Sequence, residues 1–302
     1  MMRLEIQALT KTYGAIEALH EVDLAAADGE LLALVGPDGA GKTTLFRAAC
    51  GLIEYDRGEI RIIGHDINRD FNRVKPHLGY MPQNFSLYPD LSVEENLSFY
   101  AGLFGLDRNR FDDKKKRLYE FSGLGPFSER RAGMLSGGMK QKLALSCNLI
   151  HDPEVLLLDE PTTGVDPLSR RQFWDILKNL KEAGSTIVVS TPYMDEVALA
   201  DRAVMIYDGR ILAEGTPDKL RGMFRGTVYQ VGLVPDHKTM RALDNFNGLE
   251  GRRFGSALHL YLAPERSLDE YTRPLSEIGI KPEMLTAIEP ELEDTFIQLM
   301  ER

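Results

Sequence analysis

Cysteine is nearly absent: Cys50 and Cys147 are the only two in 302 residues. Each sits in an apolar stretch of helical pattern, TLFRAAC and LALSCNLI, and no CxxC or Cys/His cluster occurs. That excludes a disulfide framework and a structural zinc site, and the two thiols read as buried and reduced. Long hydrophobic runs are missing as well, none approaching the roughly 18 residues of a membrane-spanning helix. The start of the chain, MMRLEIQALTK, has no apolar stretch of the secretory type. Any membrane role is therefore expected to be peripheral, through a separate membrane subunit. Positive charge is in short supply, with Lys+Arg 36 against Asp+Glu 46 and a net charge of -10. This argues against nonspecific nucleic-acid binding while leaving room for a local basic patch. Internal repeats and low-complexity tracts are absent.

What is present is the composition of an ordinary globular protein, 43% hydrophobic and 27% charged, long enough for one large domain and a smaller one. Residues 3–9 and 16–24 predict strands of a small antiparallel sheet. LLALVG (31–36) is a short apolar strand running into a Gly-rich loop, and Lys42 to Cys50 predicts a helix. DRGEIRIIG (56–64) reads as turn and strand, and LGYMPQ (78–83) as a further strand. Helical periodicity dominates 91–150, broken at 123–126 and near Gly133. VLLLD (155–159) and TIVVS (186–190) predict buried strands around a helix over about 167–183, followed by a hairpin turning at Asp208-Gly209. The pattern changes after Gly226: Tyr229, Val231 and Leu233 alternate, as do Leu258, Leu260 and Leu262. Amphipathic segments lie between and after these strands near 237–246 and 267–278, and a last helix carries Leu292, Phe296, Leu299 and Met300. The domains expected are 1–225, with a helical part at about 84–150, and a small α+β domain at 226–302.

Two motifs carry chemistry by themselves. GPDGAGKTT (36–44) satisfies GxxxxGK[ST] with Gly36, Gly41, Lys42 and Thr43. Glycines let the backbone curl so that successive N–H groups face phosphate oxygens, and the following helix aims its positive end at them. Pro37, Asp38, Gly39, Ala40 and Thr44 complete the loop. Lys42 supplies a point charge to the β/γ phosphates, and the Thr43 hydroxyl ligates magnesium. The strand at 155–159 ends in Asp159-Glu160, placing one carboxylate to hold Mg2+ and the next to polarise an attacking water.

With LSGGM at 135–139 between these motifs, the chain from about residue 3 to 225 resembles the ATP-binding subunits of ABC transporters. The resemblance implies a P-loop NTPase fold: a RecA-like α/β core, an antiparallel β subdomain and a helical subdomain, here with the C-terminal α+β domain added. It implies that Ser136, Gly137 and Gly138 contact the γ-phosphate of ATP held by a second subunit, with Met139 replacing the usual Gln. It implies that Tyr13 stacks on adenine, that Gln83 touches magnesium or water and senses the membrane subunit, and that Asp166 crosses between subunits. ATP and Mg2+ are the implied cofactors. The implied partners are a transmembrane permease and a second ATP-binding subunit, identical or different, at the cytoplasmic face of the plasma membrane. The motif sequences are similar to those of bacterial multidrug and antibiotic-efflux ATPases, in particular the amino-terminal half of tandem-cassette proteins, whose ending PELEDTFIQLM resembles.

One position departs from the family. A histidine is expected after the strand TIVVS, where this chain has Thr191-Pro192-Tyr193, and none of His20, His65, His77, His151, His237 and His259 lies there. Proline offers neither a side-chain donor nor an N–H. The resemblance therefore implies slow hydrolysis at this chain's own phosphate loop. Two arrangements stay open: an asymmetric pair in which LSGGM completes a partner's competent site, and a homodimer that tolerates Pro192. A non-hydrolytic regulatory module and a non-transport ABC protein acting on ribosomes or DNA are the rival readings. The acidic composition and the lack of a second cassette or coiled-coil insertion weigh against the latter. No NKxD guanine-reading motif supports a GTPase.

Overall fold

Apolar runs too short for helices and without polar alternation must be covered on both faces, and β3 (Leu31–Val35) shows the consequence: all five of its residues are buried. The computed structural model describes residues 1–84, 87–232, 235–254 and 257–301. Phe85, close after the Gln83 expected to sense the membrane subunit, and Leu233 of the predicted alternation lie outside the described residues. The chain forms two compact units, Met1–Pro217 and Asp218–Arg302. The division falls earlier than the Gly226 boundary read from composition, because the backbone from Asp218 onward packs with the second unit.

In the first unit, β3 is preceded by β1 (Met2–Tyr13) and β2 (Ile16–Ala27) and followed by α1 (Lys42–Ala49). Next come β4 (Arg57–Ile62), β5 (His65–Asp66), α2 (Ile67–Val74) and β6 (Leu78–Met81). The helical region holds α3 (Val93–Leu103), α4 (Arg108–Ser122) and α5 (Gly137–Leu149). The chain then returns through β7 (Val155–Asp159), α6 (Pro167–Glu182), β8 (Thr186–Thr191), α7 (Met194–Val197), β9 (Arg202–Tyr207) and β10 (Arg210–Gly215). A six-stranded sheet has the order β10-β9-β3-β8-β7-β6, parallel except for β10 at its edge. A second, antiparallel sheet has the order β2-β1-β4-β5.

One buried cluster joins the sheets through α1: Leu4, Ile60 and Ile62 from the antiparallel sheet, Leu45 and Phe46 from α1, and Leu34, Leu157 and Val188 from the parallel sheet. The helix behind the phosphate loop is thus clamped between two layers. The predicted strand 78–83 ends at Met81, leaving Gln83 in the connection to α3. That connection is tied down by Asn96, fully buried, which accepts from Tyr88 N and donates to the Tyr88, Leu91 and Ser92 carbonyls. Ser92 and Glu95 close a capping box that starts α3.

The second unit begins with α8 (Pro217–Arg221), which straddles the division, and continues through β11 (Thr227–Val231), α9 (His237–Leu243), β12 (Leu249–Phe254) and β13 (Ala257–Leu262). It ends with α10 (Thr272–Glu277), β14 (Leu285–Ile288) and α11 (Leu292–Met300). Its sheet, in the order β12-β13-β11-β14, is antiparallel. Strands β12 and β14 escape sequence reading because LEGRRF and LTAI lack clean alternation, each burying at most one residue fully. A buried polar knot fixes α11: Asp294 Oδ1 accepts from Tyr261 Oη at 2.7 Å and meets His259 Nδ1 at 2.9 Å. Its Oδ2 accepts from Glu291 N.

Replacing Phe46 by alanine is expected to cost about 3–5 kcal/mol, since the ring is 1% exposed at the centre of this clamp. The midpoint of denaturant unfolding of the first unit measures it.

Candidate nucleotide site

The phosphate loop is shaped by contacts no side chain would tolerate. A Cβ on Gly36 would lie 2.1 Å from the Ile206 carbonyl oxygen, and one on Gly41 2.8 Å from that of Ala18. Gly39 and Gly41 have φ of 82° and 104°, the left-handed region that glycine enters freely. The β9–β10 turn closes the loop from outside: Gly209 N–H donates to Ala40 O at 3.1 Å, and Gly209 O accepts from His20 N at 2.9 Å. Asp38 and Gly39 stand exposed at the loop's tip, Thr43 and Thr44 are half-buried on α1, and Lys42 opens the helix.

Lys42 is 3% exposed, and its Nζ donates to the Gly36 and Pro37 carbonyls at 2.8 and 2.9 Å. It also pairs with Glu160 Oε1 at 3.0 Å, and Glu160 is 4% exposed. Glu160 Oε2 accepts from Gln83 Nε2 at 2.9 Å and from Thr163 Oγ1 at 3.2 Å. The structure thus joins buried Lys42 and Glu160 with the more exposed Gln83, from three separate stretches of chain. Glu160 holds φ 47°, unusual for a residue with a side chain, directly after β7.

Ser190 is the residue that sequence reading missed. It lies opposite Asp159 in the β7–β8 register. Its Oγ donates to Asp159 Oδ1 at 2.8 Å and accepts from Glu160 N at 2.9 Å. The signal was there: a hydroxyl in an otherwise apolar buried strand must find partners. Asp159 itself is fully buried, and its Oδ2 has no hydrogen-bond partner among the described residues. Burial pushes its carboxyl above the ordinary range, with repulsion from Glu160 adding to the effect; the Ser190 and Thr43 hydroxyls and the Lys42 charge oppose it.

A second buried carboxylate lies behind the first group. Glu196 Oε2 accepts from Thr191 Oγ1 at 2.5 Å and from Thr162 Oγ1 at 3.1 Å. It couples the turn containing Pro192 to the loop after Glu160. Arg170 sits 3.9 Å from Glu196, pairs with Asp195 at 3.2 Å and packs over the Tyr193 ring. Pro192 is half-buried directly after β8.

The remaining predicted residues lie elsewhere in the unit. Ser136 caps α5, accepting from Met139 N at 3.3 Å, and Ser136 and Gly137 are exposed. Gly138 is buried where a Cβ would meet Ser169 at 2.7 Å, so α5 and α6 start in contact. Asp166 is exposed and caps α6 by accepting from Ser169 N at 2.9 Å; that hydrogen bond holds its carboxyl below the ordinary range. Among the described residues, no hydrogen bond or ion pair joins Ser136, Gly137, Gly138 or Asp166 to the phosphate loop. Tyr13 ends β1, 47% exposed, with Lys11 Nζ 5.0 Å from its ring centroid. Cys50 and Cys147 are buried free thiols, and burial raises both above the ordinary range.

A parallel sheet bearing a Gly-rich loop and an Asp–Glu pair at its strand ends, with an antiparallel sheet and a helical region added, defines a P-loop nucleotide-binding protein. The ABC transporter family model matches residues 19–163. The daunorubicin resistance ATP-binding protein DrrA3 of Streptomyces coeruleorubidus is 34% identical over 301 residues, 98% of this chain and 95% of the relative. The probable multidrug ABC transporter ATP-binding protein YbhF of Escherichia coli (strain K12) is 43% identical over 218 residues. That match takes in 72% of this chain and 38% of YbhF, so the chain spans well under half the length of this relative. A solved ATP-binding subunit of an ABC transporter aligns with TM-score 0.66 and 31% identity over 73% of this chain and 92% of its own. A dimeric post-hydrolysis cassette bound to ADP and Pi aligns with TM-score 0.63 and 26% identity over 70% and 98%. The chain belongs to the ABC transporter ATP-binding proteins.

Two predictions follow from the Ser190 and Asp159 geometry. Ser190→Ala leaves a buried N–H and a buried carboxylate oxygen without partners and is expected to destabilise the first unit by about 2–4 kcal/mol, read from urea unfolding. Asp159, with a raised folded pKa, binds its proton more tightly in the folded state. Its contribution is therefore complete below an unfolded value of about 3.9 and is lost as pH rises through the raised value. Asp159→Asn, neutral throughout, is expected to flatten that part of a magnesium-free stability–pH curve.

Proposed function

We propose that this chain is the ATP-hydrolysing subunit of a small-molecule exporter of the drug- or antibiotic-efflux kind, working through a separate membrane permease at the cytoplasmic face. The observation that carries the reading is the convergence of buried Lys42, Glu160 and Asp159, with Gln83 hydrogen-bonded to Glu160. The relatives named for multidrug and daunorubicin resistance support the efflux class.

In this reading the loop 36–44 wraps the phosphates with backbone N–H groups and Lys42 exchanges Glu160 for phosphate oxygens. Glu160, freed from the lysine but still held by Thr163 and Gln83, orients a water and accepts its proton. Tyr13 offers its exposed face to adenine. Mg2+ fits the site on chemical grounds: a buried Asp159 oxygen without a partner beside the Thr43 hydroxyl, with Gln83 near, matches its preference for few protein oxygens plus phosphates. Bound there, it would neutralise charge developing on the β/γ phosphates. Ser136 and Gly137 at the exposed start of α5, with Asp166 close by on α6, are placed to cover a nucleotide on a second subunit.

Pro192 gives this site its second property. It puts no donor where the family histidine would meet the γ-phosphate, a loss worth roughly 10²–10³ in rate. The chain is therefore read as the slow partner of an asymmetric pair, binding ATP while lending its LSGGM to a competent site. The same proline favours, as a second reading, a subunit that regulates by nucleotide binding without turnover. Hydrolysis by the assembled complex separates the two.

The purified chain is expected to bind ATP and turn it over slowly. Pro192→His should raise kcat at least tenfold, and Glu160→Gln should remove the residual rate while leaving ATP binding intact. Rapid turnover by the unaltered chain, unchanged by Pro192→His, would overturn the asymmetric reading.

A further inference from the structure

The face of the parallel sheet that packs against α1 is apolar until its last row. Leu157 on β7 and Val188 on β8 stand opposite each other and belong to the buried cluster around Leu45 and Phe46. Two residues further on, where strand side chains return to the same face, the opposed pair is Asp159 and Ser190. Both are fully buried. A polar pair ending an apolar row is costly unless its atoms find partners.

Ser190 finds its partners in two consecutive residues. A serine hydroxyl has one hydrogen to give and an oxygen that also accepts, whereas an ionised carboxylate only accepts. The Ser190 hydrogen therefore goes to Asp159 Oδ1 at 2.8 Å, while Ser190 Oγ takes the Glu160 N–H at 2.9 Å. The chain of donors runs one way, from Glu160 N through Ser190 Oγ to Asp159 Oδ1, and each bond polarises the next.

A carboxylate turns broadly about its last bond, and the hydrogen bond to Oδ1 sets that angle for Asp159. Oδ2 is then the oxygen with no hydrogen-bond partner among the described residues. A carboxylate buried for packing alone would have both oxygens met. Glu160 is constrained at its backbone instead. Its φ of 47° persists in a residue with a Cβ only where the surroundings hold it there. Lys42, Gln83 and Thr163 hold its side chain, and Ser190 holds its N–H. If phosphates draw Lys42 away, the Ser190 tether is not among the contacts exchanged.

We propose that Ser190 is a positioning residue for both carboxylates: one hydroxyl turns Asp159 so that Oδ2 is the oxygen left for Mg2+, and holds the Glu160 backbone in the conformation from which its carboxylate acts on water. The proposal rests on the ATP-hydrolysing reading above and adds to it a group that acts only through two others.

The test uses the full chain. Calorimetry compares binding of adenylyl imidodiphosphate, a non-hydrolysable ATP analogue, in Mg2+ and in EDTA, and the ratio is the metal-dependent gain. ATP turnover at saturating Mg2+ is read beside it. Ser190→Ala is expected to cut the gain roughly 10–100-fold, the cost of losing a group that orients a metal ligand, and to lower turnover in a way that more Mg2+ does not restore. Ser190→Thr keeps the hydroxyl and should keep both. Thr186→Val is the control. Thr186 is as buried as Ser190 at the other end of β8, where its Oγ1 accepts from Gly29 N at 3.0 Å and donates to Ala27 O at 3.2 Å. That variant loses buried hydrogen bonds from the same strand and should keep the gain and the turnover. Unchanged gain and turnover in Ser190→Ala overturn the positioning role. So does equal loss in Thr186→Val, which traces the effect to a weakened strand, or loss in Ser190→Thr when its urea unfolding midpoint matches that of the unaltered chain. Absence of both gain and turnover in the unaltered chain is a separate failure: it removes the ATPase reading, and the positioning role with it.

Discussion

The buried ion pair between Lys42 and Glu160 is the constraint on which the site depends. Both groups are almost wholly removed from water, and an isolated charge there would be costly. The structure therefore has to satisfy each from several directions. Lys42 is met by two loop carbonyls that point inward only because Gly36 allows the close approach to Ile206. Glu160 is met by Gln83, by Thr163 and, at its backbone, by Ser190. A phosphate loop, a strand end and the connection into the helical region are thereby locked to one another by a single pair of charges.

That arrangement explains how a nucleotide would be felt at a distance. In the proposed reading, phosphates would compete with Glu160 for the same ammonium group, so occupancy would change the partners of Glu160 and, through Glu160, those of Gln83. Gln83 stands at the entrance to the segment that Asn96 pins to α3. A change of partner at the phosphates is thus one hydrogen bond away from the helical region. This is a local exchange of partners with a structural lever attached, the kind of step from which larger motions are built.

The sequence made the parallel core, the phosphate loop and the Asp159-Glu160 strand end legible because their signals are local. Apolar runs such as LLALV and VLLLD can only be buried strands, and the spacing of Gly36, Gly41 and Lys42 is set by the loop itself. What it hid was nonlocal. Ser190 matters because β8 pairs with β7 in a register that sets it opposite Asp159, and Glu196 because a turn brings it under Thr162 and Thr191. Neither register nor turn is written in the residues nearby. Strands β12 and β14 were hidden for a different reason: half-exposed edges of a small sheet need little apolar alternation. The early division after Pro217 was missed because composition shifts only where strands begin, whereas packing changes one short helix sooner.

Pro192 draws these threads together. A residue that had lost all use for hydrolysis would be expected to sit in a slackened turn. Instead Thr191 Oγ1 donates to Glu196 and accepts from Tyr193 N, so the turn is braced on both sides of the proline. Arg170, anchored on the helix that Asp166 caps, packs on Tyr193 and reaches Asp195. Pro192 is thus set in a framework that still links the end of β8 to the start of α6, near the exposed Ser136 and Gly137 at the start of α5. The slow partner proposed above, binding nucleotide and presenting its covering surface to a neighbour, would need that linkage intact while dispensing with the imidazole.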